Sequence, residues 1–169
     1  MNTHLSSYDP STGRELGKVP IAQPADLPAI VKNAKEAAKQ WQSLGMSERL
    51  NLVRDAFTRI EPHTHELGIL LSQEMGKDAR RSMSEVGGSA YSASYIAEQA
   101  FSALQSQKLN RTTELQYQPL GVAAVISPWN YPMAMACNLI VPALIAGNTV
   151  VFKPSEETPL IAQAFVDLL

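Results

Sequence analysis

Two short apolar segments near the end of the 169-residue chain constrain its fold more than any other feature. One covers residues 122–126 (VAAVI) and the other covers residues 149–152 (TVVF). Short runs of this kind are typical of strands that are buried on both faces of a parallel sheet. Between them, residues 133–146 have the length and apolar content of a helix that ends at Gly147. We therefore predict an α/β fold with a parallel sheet.

A second helix is predicted after the second apolar segment. Thr158 and Pro159 fit an N-cap followed by proline in the first helical position. The resulting order, β-loop-α-β-loop-α, is the first part of a Rossmann-like parallel sheet. Two strands do not complete such a sheet, because a buried parallel strand needs a partner on each side. We therefore expect an incomplete fold that needs further strands from a longer polypeptide or from another chain.

The first hundred residues predict a helical segment. Apolar side chains at steps of three and four residues mark an amphipathic helix over about 25–43. Ser47 is a candidate cap for a second helix, which Pro62 should interrupt. A third, long helix is predicted over about 78–105, and alternating residues over 112–118 predict a strand. The chain thus divides into a helical first part and an α/β second part.

Charge and composition argue against several kinds of partner. The chain has 14 basic and 16 acidic residues, and no basic stripe marks a nucleic-acid site. Its start lacks the features of a secretory signal, and its longest apolar stretch, residues 139–146, is too short to span a bilayer. The single cysteine, Cys137, forms neither an internal disulfide nor a multi-cysteine metal site. We therefore expect a cytoplasmic protein without nucleic-acid, membrane or metal partners.

The loop after the first apolar segment holds a candidate catalytic residue. Ligands of open α/β sheets bind at the carboxyl ends of the strands, so the loops after both segments should lie side by side at the site. In the first loop, S-P-W-N-Y-P at 127–132, two prolines stiffen the backbone around Asn130. An amide held rigidly there can donate a hydrogen bond to a developing oxyanion. The alternative is that Asn130 caps the next helix, which is the commoner role of a lone asparagine at such a junction.

The loop after the second apolar segment, K-P-S-E-E at 153–157, holds a candidate nucleotide site. The ammonium of Lys153 and the carboxylate of Glu156 can together bind the vicinal hydroxyls of a ribose. The alternative is a surface lysine with a glutamate that is favourably placed at a helix N-terminus. By itself this loop does not decide between the two interpretations.

Taken together, the two loops and their strands closely resemble the aldehyde dehydrogenase superfamily. The stretches that carry the resemblance are P-L-G-V-A-A-V-I-S-P-W-N-Y-P at 119–132 and P-A-L-I-A-G-N-T-V-V-F-K-P-S-E-E-T-P-L at 142–160. The opening D-P-S-T-G-R-E-L at 9–16 and the segment Q-E-M-G-K at 73–77 also resemble that family. The resemblance therefore covers nearly the whole chain.

The resemblance implies roles for eight residues. Asn130 matches the family's oxyanion-hole amide, which stabilises the tetrahedral intermediate formed when a cysteine thiolate attacks the aldehyde. Lys153 and Glu156 match residues that hold the adenosine ribose, and Glu156 favours NAD over NADP because it would repel a 2′-phosphate. NADP remains possible, because some family members with glutamate here accept both. The remaining cofactor-binding residues are Ile126, Ser127, Pro128, Trp129 and Ser155.

The resemblance also implies a domain organisation. Residues 1–110 would form an N-terminal helical segment that packs on the coenzyme domain, and residues 111–120 would form a strand of the oligomerisation region. Residues 121–169 would form the start of a truncated NAD(P)-binding domain. The complete protein would be a homo-oligomer that oxidises a small-molecule aldehyde to a carboxylic acid with NAD(P)⁺.

The family's nucleophilic cysteine, general-base glutamate and glycine-rich segment have no counterpart in this sequence. Cys137 lies in an apolar helix with no activating side chain near it in sequence, so we expect a buried hydrophobe. Glu74 and Glu85 lie on predicted helices and match no general-base motif. Three hypotheses follow: the first part of an aldehyde dehydrogenase, inactive alone; a non-catalytic chain that associates with a full-length aldehyde dehydrogenase; and a stand-alone nucleotide-binding module.

Overall fold

The structure is a computed structural model that describes residues 3–169. It opens with an antiparallel hairpin of β1 (His4–Tyr8) and β2 (Glu15–Pro20). In the turn between the strands, the Asp9 carboxylate accepts hydrogen bonds from the backbone amide and hydroxyl of Ser11, and Gly13 has a φ of 71°. The strands themselves were not predicted, because β1 and β2 are short and show no regular alternation of buried and exposed residues.

Four helices follow and confirm the predicted helical segment: α1 (Leu27–Ser43), α2 (Met46–Thr58), α3 (Thr64–Met75) and α4 (Ala79–Ala103). Pro62 lies in a 3₁₀ turn that separates α2 from α3, as predicted. The predicted capping role of Ser47 is wrong, since Gly45 is the N-cap and Ser47 lies inside the first turn of α2. Glycine is one of the residues preferred at the N-cap, even though it has no side chain that could accept a hydrogen bond.

The strand predicted over residues 112–118 is much shorter in the structure. Only β4 (Glu114–Leu115) is extended, and it pairs antiparallel with β3 (Gln107–Lys108). Residues 107–118 are all exposed in this chain. An alternating sequence forms a long strand only where one of its faces can be buried, and no described part of the chain covers this one.

The end of the chain forms the predicted β-loop-α-β-loop-α unit. It consists of β5 (Val122–Ile126), α5 (Pro132–Ile145), β6 (Thr149–Lys153) and α6 (Pro159–Leu168), with β5 and β6 parallel. Burial of both strands on both faces is not observed: Val125 is the one buried residue of β5, and β6 is half-buried up to its exposed last residue. The sheet has only these two strands in the described chain, so each strand has an open edge.

The helical segment packs directly on this α/β unit. The core between them is centred on Phe57 of α2 and Phe165 of α6, whose ring centroids are 5.9 Å apart. Trp41 donates its indole hydrogen bond to the Leu144 carbonyl at the end of α5 (2.8 Å), and Arg49 donates to the next carbonyl (3.1 Å). The Leu144 carbonyl also accepts from the Gly147 amide, whereas Arg49 provides a partner for the Ile145 carbonyl, which the last turn of the helix leaves open. No helix within residues 3–169 is long and apolar enough to cross a membrane.

Candidate functional site

The two candidate loops lie side by side, as the sequence predicts. Parallel pairing of β5 with β6 places Ile126 opposite Lys153 at the carboxyl end of the sheet. One residue further on, the Ser127 amide donates a hydrogen bond to the Lys153 carbonyl (3.3 Å). Both loops therefore start from the same edge, which is where open α/β sheets bind ligands.

The first loop combines one buried hydroxyl with an exposed amide. Ser127 is buried, and its hydroxyl has no hydrogen-bond partner in the described chain. Pro128 and Asn130 are exposed, Ile126 is 69% exposed and Trp129 is 51% exposed. The N-cap residue of α5 is Tyr131, and its side chain makes no capping hydrogen bond. The interpretation of Asn130 as a helix cap is therefore wrong, and its amide is free to bind elsewhere.

In the second loop, the Lys153 ammonium lies 3.0 Å from a carboxylate oxygen of Glu156. Its own backbone amide, then the hydrogen bond and charge of Lys153, lower the pKa of Glu156 below its ordinary value. Both side chains are mostly exposed, so solvent screens the ion pair and leaves both groups available to a ligand. Ser155 is buried, and its hydroxyl accepts a hydrogen bond from the Glu157 amide (3.3 Å), which orders the loop.

A buried carboxylate from α4 closes the first turn of α5. The Glu85 oxygen Oε1 accepts hydrogen bonds from the amides of Met133 (3.2 Å) and Ala134 (3.5 Å). Its other oxygen pairs with the Lys77 ammonium at 2.5 Å. The Glu85 side chain is 2% exposed and that of Lys77 is 12% exposed. The Lys77 ammonium also lies 3.9 Å from the centre of the Tyr131 ring, within the range of a cation–π contact.

A second buried carboxylate, from α3, closes the first turn of α6. The Glu74 oxygens accept from the amides of Leu160 (2.7 Å) and Ile161 (2.8 Å), and one of them also accepts from the Ser7 hydroxyl (2.8 Å). Burial raises the pKa of Glu74 above its ordinary value, although these three hydrogen bonds act in the opposite direction. The N-cap of α6 is Thr158, as predicted, but its hydroxyl has no partner in the described chain and does not cap the helix.

The roles of these two glutamates were not predicted from the sequence, although the sequence contains a signal for them. Glu74 lies three residues after Leu71 and seven after Leu67, on the buried face of α3. Glu85 lies beside Val86 on the buried face of α4. A carboxylate on a buried helical face needs partners, because burying an unpaired charge is costly. The sequence could show that partners were required but could not show that they are the amides of α5 and α6.

A cavity of about 480 Å³ lies between α4 and α5, next to the first loop. Its wall includes Tyr131, which directly follows Asn130, and the cations Lys77 and Arg81. Cys137 also lines it, but this cysteine is buried, and burial raises the pKa of its thiol to about 12. The thiol is therefore protonated at neutral pH, which confirms the prediction of a buried hydrophobe.

Comparison with known proteins gives consistent matches. The profile of the aldehyde dehydrogenase family matches residues 1–169. A probable succinate-semialdehyde dehydrogenase (NADP⁺) of Sinorhizobium fredii is 36% identical over 168 residues, which covers 97% of this chain and 34% of that protein.

Solved structures agree with this match. Succinate-semialdehyde dehydrogenase from Burkholderia pseudomallei superposes with a TM-score of 0.90 at 30% identity. The superposition covers 98% of this chain and 35% of the Burkholderia chain. NADP-dependent glyceraldehyde-3-phosphate dehydrogenase from Bacillus halodurans, complexed with NADP, gives a TM-score of 0.87 at 28% identity, covering 98% and 37%. The chain thus spans about a third of the length of the relatives that it matches. Since the family profile extends over all 169 residues, this chain belongs to the aldehyde dehydrogenase family.

Proposed function

We propose that this chain is the N-terminal, coenzyme-contacting part of an enzyme that oxidises an aldehyde to a carboxylic acid with NAD(P)⁺. The observation that carries the proposal is the adjacency of an exposed amide, Asn130, and a lysine–carboxylate pair at the carboxyl end of one parallel sheet. The relatives are about three times as long as this chain. We use "complete enzyme" for the polypeptide that continues this chain through the remaining two thirds.

Asn130 is proposed to stabilise the oxyanion that forms when the aldehyde carbonyl is attacked. Its amide is exposed and does not cap α5, so its N–H donors are available to a substrate. The prolines on both sides limit the motion of the loop, which keeps the reorganisation needed during the reaction small. The attacking thiolate and the general base would come from the part of the complete enzyme that follows this chain.

Replacing Asn130 tests this proposal directly. Asn130→Ala in the complete enzyme is expected to lower kcat by about 10²–10³-fold, which is the usual effect of removing one oxyanion donor. The Kd of the coenzyme, measured by fluorescence titration, should change little. A large loss of coenzyme affinity with unchanged kcat would contradict the oxyanion role.

The second loop is proposed to hold the adenosine ribose of the coenzyme. An ammonium with three donors and a carboxylate acceptor fit a pair of vicinal hydroxyls, and the buried Ser127 hydroxyl beside them has no partner in the described chain. When bound, the coenzyme's nicotinamide accepts hydride from the substrate.

Glu156 leads us to propose NAD as the preferred coenzyme, because its carboxylate would repel a 2′-phosphate. Two of the three relatives cited above are NADP-dependent by name, so NADP is the alternative to measure.

The cavity beside Asn130 is proposed to admit an aldehyde with a second, anionic group. Arg81 in its wall takes part in no ion pair within residues 3–169, so its charge is available to a carboxylate. Two of the three relatives cited above are named for succinate semialdehyde, which carries such a group. We expect Arg81→Leu in the complete enzyme to reduce the kcat/KM ratio of succinate semialdehyde over butanal by about tenfold, the effect of one charge-assisted hydrogen bond. An unchanged ratio would remove Arg81 from substrate recognition.

A second candidate function is association of this chain, without catalysis, with a full-length aldehyde dehydrogenase. The open edges of the β5–β6 sheet and the exposed Ile126 and Leu120 favour it, because unpaired edges and exposed apolar side chains promote association. Co-expression with a full-length relative, followed by size-exclusion chromatography, tests it. A mixed oligomer supports association, whereas complete separation of the two chains rejects it.

A further inference from the structure

We propose that the ion pair of Glu85 and Lys77, which belongs to the helical segment and not to the α/β unit, holds the oxyanion residue Asn130 in position. Neither residue touches the reacting atoms, so both are positioning residues. The inference rests on the proposed function of Asn130. On this view, the geometry of the oxyanion site is set by an ion pair between Lys77, which lies just before α4, and Glu85 in the first part of α4.

The first part of the argument concerns the start of α5. The first amides of a helix have no partners within the helix. Pro132 in the first position has no N–H, and the amides of Met133 and Ala134 both point to one oxygen of Glu85. The helix's own cap residue, Tyr131, provides no side-chain bond. Glu85 is therefore the group that fixes the first turn of α5, which begins two residues after Asn130.

The second part concerns Lys77. Its ammonium pairs with the Glu85 oxygen Oε2 and lies over the ring of Tyr131, the residue next to Asn130. A single cation thus connects the carboxylate that fixes the helix to the side chain that directly follows the oxyanion residue. On its other side, the loop is held by the hydrogen bond from the Ser127 amide to β6. The loop is therefore fixed at both ends, while Asn130 itself is exposed.

The third part is a comparison within the same chain. Glu74 closes the first turn of α6 with the same kind of bonds, but α6 follows the lysine–glutamate loop and not the Asn130 loop. If the glutamates only stabilise the packing of helices, both should affect stability alone. If each positions the loop before its helix, loss of Glu85 should reduce kcat, and loss of Glu74 should raise the KM of the coenzyme.

The experiment is a double-mutant cycle in the complete enzyme, using Glu85→Gln, Asn130→Ala and the double variant, with thermal unfolding to establish that each is folded. Small displacements of a catalytic group can cost up to about 10²-fold in rate, so we expect Glu85→Gln to lower kcat by about 10- to 100-fold with the Kd of NAD unchanged. In the Asn130→Ala background, the same change should have almost no further effect, because the group that Glu85 positions is gone.

Two results would overturn the inference: an unchanged kcat in folded Glu85→Gln, or losses that multiply in the double variant. The proposed function fails separately, by an unchanged kcat in Asn130→Ala. If Glu85→Gln does not fold, Lys77→Met and Lys77→Arg take its place, because they leave the bonds from Glu85 to α5 in place. The inference then predicts a reduced kcat for Lys77→Met and a largely restored kcat for Lys77→Arg; equal activity in both would overturn it.

Discussion

Helices α5 and α6 begin in the same way. Each has proline in the first position, and each offers its next two amides to a buried glutamate from the helical segment. The two sites differ in what surrounds the carboxylate. Glu85 has a cationic partner in Lys77, whereas the other partner of Glu74 is the neutral hydroxyl of Ser7. The same hydrogen-bond geometry can therefore be built with or without a counter-ion, and the choice determines how each site responds to mutation and to pH.

The largest expected effect comes from removing the counter-ion of Glu85. Lys77→Met would leave a buried carboxylate without its cation, and breaking a buried ion pair typically costs about 3–5 kcal/mol. Urea denaturation of the complete enzyme measures the loss. The double variant Lys77→Met/Glu85→Gln should recover part of this stability, because the unpaired charge is removed. A loss below about 1 kcal/mol in Lys77→Met would mean that the pair resembles a solvent-exposed one.

A smaller loss is expected at the second site. In Glu74→Gln, the side-chain oxygen can still accept a hydrogen bond from one amide of α6, but the side-chain NH₂ group faces the other amide. The free energy of unfolding should therefore fall by about 1–3 kcal/mol, the usual penalty of one unsatisfied buried group. No cation is left unpaired, since the partners of Glu74 are neutral. Urea denaturation at neutral pH gives the comparison with Lys77→Met. A loss in Glu74→Gln that exceeds the loss in Lys77→Met would contradict the difference between the sites.

The pH dependence of stability sharpens the same comparison. Because the pKa of Glu74 is raised in the folded state, the protonated carboxyl stabilises the fold relative to the ionised one. This contribution is fully present below the ordinary glutamate pKa and is lost as the pH rises through the raised value. The free energy of unfolding of the wild type, relative to Glu74→Gln, should therefore fall across that window. Glu66→Gln, at an exposed position of the same helix, is the control for the loss of one negative charge.

The smallest effect is expected in the exposed loop after β6. Glu156→Gln removes the carboxylate that would repel a 2′-phosphate, so the kcat/KM ratio of NADP over NAD should rise. Since Lys153 and Glu156 are mostly exposed, solvent screening limits the change to about two- to fivefold. Steady-state kinetics with both coenzymes measure it. A fall in the ratio would show that Glu156 does not select against the 2′-phosphate.

Local patterns in the sequence predicted most elements of the fold. The apolar periodicity of α1, the interruption at Pro62 and the apolar run of β5 depend on neighbouring residues only, so they can be read without the tertiary structure. The side-by-side loops after β5 and β6 followed from one rule about parallel sheets. The predictions that differed, the long strand over residues 112–118 and the burial of both sheet strands, needed partners that the described chain does not contain.

The sequence by itself determined the family, the order of elements and the residues proposed to contact coenzyme and substrate, because motifs and periodicities are local. The tertiary structure decided how those residues are held. Glu85 accepts a hydrogen bond from the Met133 amide, 48 residues later in the chain, and Glu74 accepts one from the Leu160 amide, 86 residues later. No local pattern encodes such pairings. They arise because a buried carboxylate must find donors, and packing places the open amides of α5 and α6 within its reach.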